Sequence, residues 1–281
     1  MPVKISSEKE EYIKNNYLIE STKSISEKLN ISKPCLLRYA KKYNLKIKSS
    51  KLYNCDENFF EKIDTEEKAY WLGFLYADGY VRMRKSSSEM RLKLSIKDVD
   101  HVKKFNDTVK SNNEIKVKGK YAISSVNQKK FVKHLVDKGC INKKSLIIKF
   151  PYFLEENLKR HFIRGYFDGD GNIKFTIKKR PSFNMVCGSM CFLESIKKEI
   201  SNDCNIRNPK IFLSKNKKYG RVFWNAIPDI ITIYFYLYKN SNIYLNRKKD
   251  KFLKIIEYSK TRKNTNRNNV WKKTECILGM Q

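Results

Sequence analysis

Apolar and polar residues alternate with a period of two in several short stretches of the chain. In the clearest stretch, every even position from Met90 to Ile96 is apolar, whereas the odd positions are polar or basic. This period predicts a β-strand with one buried side and one solvent-facing side, which is cationic here. The same pattern predicts strands around Val81–Met83, Ile115–Val117 and Ile173–Ile177.

Between these strands, apolar residues recur at the spacing of an α-helix. Val99, Val102, Phe105 and Val109 form one apolar stripe, and a second helix over 128–138 stops at Gly139. Later in the chain we expect strands at 183–187, 210–213 and 219–225, and helices at 191–201 and 230–238. The predicted fold class is α+β, with two halves that each run helix, two strands, helix, two strands, helix.

A nine-residue pattern opens each half. Residues 71–79 read WLGFLYADG and residues 163–171 read IRGYFDGDG, and the final acids, Asp78 and Asp170, lie 92 positions apart. Small residues four apart allow two helices to pack with their backbones in close approach. We therefore expect a helix interface that brings the two acids together, where they would share a cation. The small residues of this predicted interface are Gly73, Ala77, Gly165 and Gly169.

Sequence signals also divide the chain. Asp64, with Glu67 at the capping-box position, is expected to cap the first motif helix. The pattern over residues 1–48 predicts a helical unit. Its helices are expected at 7–16, at 25–29 and after Ser32, which caps the third. This order is typical of a helix-turn-helix, although a three-helix packing module without DNA contact is the alternative. The predicted divisions are 1–48, a linker at 49–63, half-domains at 64–150 and 151–258, and a basic tail at 259–281.

Charge narrows the class of partner. Sixty Lys and Arg against 29 Asp and Glu give a net charge of +31, which favours a polyanion. The apolar run at 230–238 is too short to span a bilayer, and the first twelve residues are too polar for a signal peptide. Seven scattered cysteines, without a Cys-x-x-Cys pair, indicate reduced thiols and argue against zinc. Nucleic acid is the expected partner.

Both motifs and their surroundings resemble the LAGLIDADG homing endonucleases, in particular the single-chain, two-motif type also found in inteins. The resemblance covers about 53–258 and includes the segments 139–145 and 244–248, which are similar to lysine-bearing segments of that family. It implies a pseudo-twofold pair of αββαββα half-domains, whose antiparallel sheets form a saddle over the DNA major groove. We recognise no splicing junction at Met1 or Gln281 and expect a free-standing enzyme rather than an intein.

The resemblance also implies a site. Asp78 and Asp170 would bind divalent metal, Mg²⁺ or Mn²⁺, and direct water at the scissile phosphates, with Ala77 and Gly169 beside them in the metal site. A basic catalytic residue is expected near each acid, at Lys144 and Lys248, with Lys143 and Lys249 as adjacent candidates. Tyr76 stands where the second motif has Asp168, and we interpret this difference as asymmetry at a position outside the metal site.

The predicted DNA contacts are basic side chains on the third N-terminal helix and on the strands: Arg38, Lys41, Arg82, Arg84, Arg91, Lys93, Lys116, Lys118, Lys174, Lys178 and Arg221. The predicted function is site-specific double-strand DNA cleavage at a long target. The alternatives are a non-cleaving DNA-binding regulator and an RNA-splicing maturase on the same fold. We expect a monomer in the cytoplasm of a bacterium or a phage-infected cell, with an organelle as the alternative.

Overall fold

The computed structural model describes residues 4–45, 54–142, 146–176, 179–216 and 218–261. The chain divides into two compact units, the first ending at Asn54 and the second beginning at Cys55. Among the described helices, none combines the length and the apolar character that crossing a bilayer requires.

The first unit contains three helices, α1 (Ser7–Asn16), α2 (Thr22–Leu29) and α3 (Lys33–Lys42). A serine hydroxyl caps each N-terminus, and for α3 it is Ser32 that accepts from the Cys35 amide. The connection from α2 to α3 is short because Asn30 adopts a left-handed conformation (φ 49°). The unit has its own hydrophobic core, formed by Ile13, Tyr17, Ile25, Leu36, Tyr39 and Ala40.

The first half-domain begins with the first motif helix, and its last helix is followed by a glycine that terminates it. Its elements are α4 (Glu66–Asp78), β1 (Gly79–Met83), β2 (Ser88–Ser95), a 3-10 turn (Ile96–Asp98), α5 (Val99–Thr108), β3 (Lys116–Lys118), β4 (Tyr121–Val126) and α6 (Lys129–Asp137). Gly139 follows α6 at φ 89°, and its amide donates back to Val136, so the predicted stop is confirmed.

The second half-domain repeats this order and adds a helix. Its elements are α7 (Glu156–Asp170), β5 (Asn172–Thr176), β6 (Lys179–Cys187), α8 (Met190–Asp203), β7 (Ile211–Leu213), β8 (Gly220–Trp224), α9 (Ile227–Tyr238) and α10 (Asn246–Thr261). The predicted α+β class, with two αββαββα halves, is confirmed.

Each half-domain has a four-stranded antiparallel sheet, ordered β1-β2-β4-β3 in the first and β5-β6-β8-β7 in the second. Helices α5 and α6 pack against one sheet, and α8, α9 and α10 against the other. The central helices α4 and α7 pack against each other, and one continuous hydrophobic core joins both halves. The side chains facing away from the helices form an open face on each sheet.

Two local predictions are wrong. The N-cap of α4 is Thr65, whose hydroxyl accepts from the Lys68 amide, whereas the Asp64 carboxylate binds the Lys68 ammonium at 2.8 Å. Ile96 leaves the strand because a 3-10 turn starts there, with the Ser95 hydroxyl accepting from the Lys97 amide.

Helix α10 is absent from the elements that the sequence predicts, and it crosses the boundary placed between residues 258 and 259. It forms because Phe252 and Ile255, three positions apart, are buried against the core. Residues 262–281, which make up most of the predicted tail, lie outside the described residues. So do residues 46–53, which cover the end of the predicted helical unit and the start of the predicted linker.

Candidate active site

Helices α4 and α7 approach each other backbone to backbone. A Cβ on Gly73 would overlap the carbonyl oxygen of Phe162, and one on Gly165 would overlap the carbonyl oxygen of Tyr70. Nearer the C-terminal ends, a Cβ on Gly169 would overlap the methyl group of Ala77. Such close contact requires glycine at these points and holds the two helix ends side by side.

Asp78 and Asp170 are the last residues of these helices, and both are exposed. The Oδ2 atom of Asp78 lies 3.2 Å from the position of a Cβ on Gly169, so the carboxylate reaches the end of the opposite helix. Burial raises the pKa of Tyr166 well above its ordinary value, and the charges of Asp170 and Asp78 both add to this effect. The charges of both acids therefore affect the same hydroxyl group, that of Tyr166.

The glycines that follow the acids allow the chain to turn directly into a strand. Gly79 and Gly171 have extended backbones, with φ of −75° and −73°, rather than left-handed ones. A Cβ on Gly79 would approach the carbonyl oxygen of Leu75 to 2.5 Å, and one on Gly171 would overlap the Phe167 ring. Close contact, not backbone freedom, explains glycine at both positions.

Lys248, predicted as a basic catalytic residue, is buried at the end of α7. Its Nζ donates to the carbonyl oxygens of Phe167 (2.5 Å), Gly169 (3.2 Å) and Gly171 (2.7 Å). Burial lowers its pKa to about 8, while the negative charges of Asp168, Asp78 and Asp170 oppose that shift. A cation thus lies at the C-terminal end of α7, near enough to Asp78 for their charges to interact.

The neighbouring lysine candidates lie elsewhere. The Nζ of Lys249 lies 3.8 Å from the ring centroid of Tyr244, an interaction of cation–π type. Its described contact is thus with an aromatic ring rather than with the carbonyl oxygens at the end of α7. Lys143 and Lys144, the candidates for the first half, lie outside the described residues.

Asp168 is buried beside the site, and both of its carboxylate oxygens accept hydrogen bonds from protein groups. Its carboxylate accepts from the hydroxyls of Tyr70 (2.8 Å) and Tyr238 (2.6 Å) and from the Leu245 amide (2.8 Å). Burial raises its pKa, and these donors together with Lys248 oppose the rise. In the first motif, the hydroxyl of Tyr76 instead donates to the Lys138 carbonyl at 2.5 Å, so the two positions differ in their structural partners.

A second buried network joins the two halves. Arg164 of α7 donates to Glu66 of α4 at 2.7 Å and to the carbonyl oxygens of Leu237 (2.8 Å) and Ile243 (2.9 Å). Sequence reasoning missed these groups, although an arginine inside an apolar motif helix indicates a buried acidic partner. Near the surface, Arg247 donates to both oxygens of Asp98, at 2.9 and 3.1 Å.

Most of the predicted DNA contacts lie on the open faces of the sheets. The strand registers place Arg82, Arg91, Lys93, Lys116 and Lys118 on the first open face, and Lys174 and Arg221 on the second. Arg84 is exposed just after β1, and Arg38 and Lys41 are exposed on α3. Lys178 lies outside the described residues. The structure thus gathers most of the strand residues on two surfaces and the two helical ones on the separate N-terminal unit.

Protein ligands for a metal are few. Within the described ranges, no group of three or more His, Cys, Asp or Glu side chains is arranged to hold a metal ion. A metal held by Asp78 and Asp170 would take its remaining ligands from water and substrate oxygens.

No protein-family model and no curated protein matches the sequence. Among solved structures, the chain is similar to the LAGLIDADG homing endonuclease I-GzeII in complex with its DNA target (12% identity, TM-score 0.49, covering 74% of this chain and 97% of the other). It is also similar to the LAGLIDADG meganuclease I-AabMI bound to uncleaved DNA (14%, 0.49, 75% and 98%). A third similar structure is a variant of I-DmoI with its target DNA in the presence of Mn (14%, 0.46, 66% and 97%). These structures are LAGLIDADG endonucleases, as the resemblance of the two motifs predicts.

Proposed function

We propose that this protein is a homing endonuclease: a divalent-metal-dependent enzyme that cleaves both strands of duplex DNA at one long site. The observation that carries the proposal is the position of Asp78 and Asp170. Both are exposed carboxylates at the C-terminal ends of two helices in backbone contact. Acids are unfavourable at the negative end of a helix dipole, so a bound cation would offset this cost at both positions.

The donor set fits a hard divalent cation. Asp78 and Asp170 would supply carboxylate oxygens, and the neighbouring residues Ala77 and Gly169 lie in close contact across the helix interface. Mg²⁺ prefers such oxygens and keeps several waters, and Mn²⁺ accepts the same ligands. When bound, the metal lowers the pKa of its water and stabilises charge on the phosphate oxygens. The chain's own acids would fix the metal and orient the attacking water towards the phosphate.

Lys248 would act from beneath this centre. Its ammonium holds the end of α7 through three carbonyl oxygens and adds positive charge near both acids. Positive charge close to a phosphate favours the transition state, in which negative charge accumulates on the oxygens. We assign Lys144 the corresponding role in the first half on the resemblance alone.

The open faces of the sheets would bind the DNA, with the N-terminal unit as an additional contact. Lysines and arginines on these surfaces would neutralise phosphates, and the net charge of +31 supports this attraction. A single chain supplies both halves, so we propose that the enzyme acts as a monomer. A LAGLIDADG enzyme similar in structure was crystallised with its DNA target.

The test is cleavage of a randomised duplex library by the full chain in Mg²⁺, with Ca²⁺ for binding alone. We expect double-strand cuts at one long site by the wild type, and at least a hundredfold slower cutting by Asp78→Asn and by Asp170→Asn. Both variants should still bind the site. Asp100→Asn, which changes an exposed acid paired with Lys103 on α5, is the matched control and should cut normally.

Other outcomes assign the protein to other classes. Site-selective binding of duplex DNA without cutting in Mg²⁺ or Mn²⁺ would make it a regulator. Preference for structured intron RNA over duplex DNA would make it a maturase. Normal cutting by either aspartate variant would contradict the roles proposed for these acids.

A further inference from the structure

The two open faces have the same backbone arrangement but unlike side chains. Asp78 and Asp170 are equivalent, and the strand registers carry this equivalence across each sheet. The matched positions, first face then second, are Tyr80 with Asn172, Arg82 with Lys174, Arg91 with Asn184, Lys93 with Val186, Lys116 with Phe212, Ile123 with Arg221, and Ser125 with Phe223.

The positions of the cations differ between them. Three matched positions exchange a cation for a neutral side chain, since Asn184, Val186 and Phe212 replace Arg91, Lys93 and Lys116. The exchange is reversed at the position of Arg221. At the described strand positions in regular register, the first open face carries five cations and Glu89, and the second carries Lys174 and Arg221. Arg180 is exposed at the irregular end of β6. The two surfaces therefore offer DNA a different distribution of charge and apolar groups.

Three cations of the first open face have partners on the same face. Glu89 pairs with both Arg82 and Arg91, and Arg91 also lies 5.5 Å from the ring centroid of Tyr80. Lys93 lies 3.9 Å from the ring centroid of Tyr121. Arginine and lysine donate to the O6 and N7 atoms of guanine in the major groove.

The second open face presents an aromatic pair instead. Phe212 is 59% exposed and meets Phe223 edge to face, with 5.9 Å between the ring centroids. Val186 and Arg221 are cross-strand neighbours, and Arg221 also faces Phe212, so the apolar patch includes one arginine. Apolar side chains recognise the thymine methyl group in the major groove, and asparagine amides such as that of Asn172 pair with adenine.

We infer that the target site is compositionally asymmetric. The second open face reads an A·T-rich half-site through thymine methyl groups on Phe212, Phe223 and Val186. The first open face reads a half-site whose recognised bases include guanine, through Arg91 and Lys93. This inference rests on the proposed function and assigns each half-domain its own class of bases.

The experiment starts from the site selected by the Asp170→Asn protein from random duplexes in Ca²⁺. Deoxyuridine then replaces thymidine in one half-site at a time, which removes methyl groups and leaves base pairing unchanged. We expect removal of each recognised methyl group in the second half-site to weaken binding about three- to fivefold. The same replacement in the first half-site should change affinity by less than about twofold.

The variant Phe212→Ser should remove most of this methyl effect. Phe153→Ser is the matched control, because Phe153 is also exposed (54%) but lies outside both sheets, and it should leave the methyl effect intact. Phe212→Lys restores the cation found at the matched position of the first face, and we expect it to shift selection towards guanine there.

Failure of the inference is distinct from failure of the proposed function. Selective binding with equal base composition in both half-sites, or with no methyl effect in the second, would overturn the inference and leave the nuclease intact. Absence of any selective DNA binding would overturn both. A methyl effect that persists in Phe212→Ser would contradict the role of the aromatic pair.

Discussion

Lys248 shows how one side chain serves both structure and site. An ammonium with three carbonyl partners at a helix end is a strong cap, because charged hydrogen bonds are stronger than neutral ones. The same hydrogen bonds keep its charge close to Asp78 and Asp170. At this scale, burial distinguishes Lys248 from Lys249, the adjacent candidate that the sequence leaves open.

Replacement of Lys248 should therefore destabilise the protein. We expect Lys248→Met to lower the free energy of unfolding by about 2–3 kcal/mol, because it leaves buried carbonyl oxygens without a donor. Lys249→Met removes only a cation–π interaction and should cost about 1 kcal/mol or less. Urea unfolding followed by circular dichroism measures both values. Equal losses for the two variants would contradict the capping role.

The buried histidines make stability depend on pH. Burial lowers the pKa of His101 to about 3, from an ordinary value of 6.5, and its Nε2 lies 2.9 Å from the Tyr70 hydroxyl. Between these values the unfolded chain binds a proton that the folded chain does not bind. The stabilisation is thus complete above pH 6.5 and is lost as pH falls.

We expect wild-type stability to fall between about pH 6 and pH 4 more steeply than that of His101→Gln, by about 1.4 kcal/mol per pH unit. His161, whose pKa burial also lowers to about 3, should contribute a similar slope. Unfolding free energies measured across this range for wild type, His101→Gln and the His101→Gln, His161→Gln double variant test this expectation. Parallel curves for all three would exclude it.

At the scale of elements, the contact between α4 and α7 is the least tolerant part of the fold. Gly165→Ala should cost about 3 kcal/mol or more, since the new methyl meets the Tyr70 carbonyl, which is backbone and has little freedom to move. Gly119→Ala is the control. It has a left-handed backbone (φ 56°) with open space around it, so we expect a cost of about 1–2 kcal/mol. A smaller loss at Gly165 than at Gly119 in thermal unfolding would refute the tight packing.

The element order of both halves is readable from the sequence because strand and helix periods alternate cleanly around the two motifs. What the periods do not reveal is contact between distant segments. Helix α10 depends on burial of Phe252 and Ile255, and the partners of Asp168 come from residues 70, 238 and 245. Such contacts are fixed by tertiary packing, so local patterns predict the acids of the site but not the groups that support them.

At the scale of the molecule, the N-terminal unit has a hydrophobic core of its own. Deletion of residues 1–54 should therefore leave the larger unit folded while weakening DNA binding. We expect the slope of log affinity against log salt to become shallower by about one for each phosphate that this unit neutralises. Nitrocellulose filter binding at several salt concentrations, with footprinting, measures this change. An unchanged footprint and salt slope would exclude DNA binding by this unit.

The pairing of Glu66 with Arg164 has a consequence for the symmetry of the chain. The offset of 92 residues places Leu72 where the second half has Arg164, and Leu158 where the first half has Glu66. Two copies of the first half would thus leave a carboxylate facing leucine, and two copies of the second would leave a guanidinium facing leucine. Neither half is self-complementary at this position, so a homodimer of either half would leave one charge at the helix interface without its partner. A chimera that replaces one half should therefore keep a carboxylate at the position of Glu66 and a guanidinium at the position of Arg164.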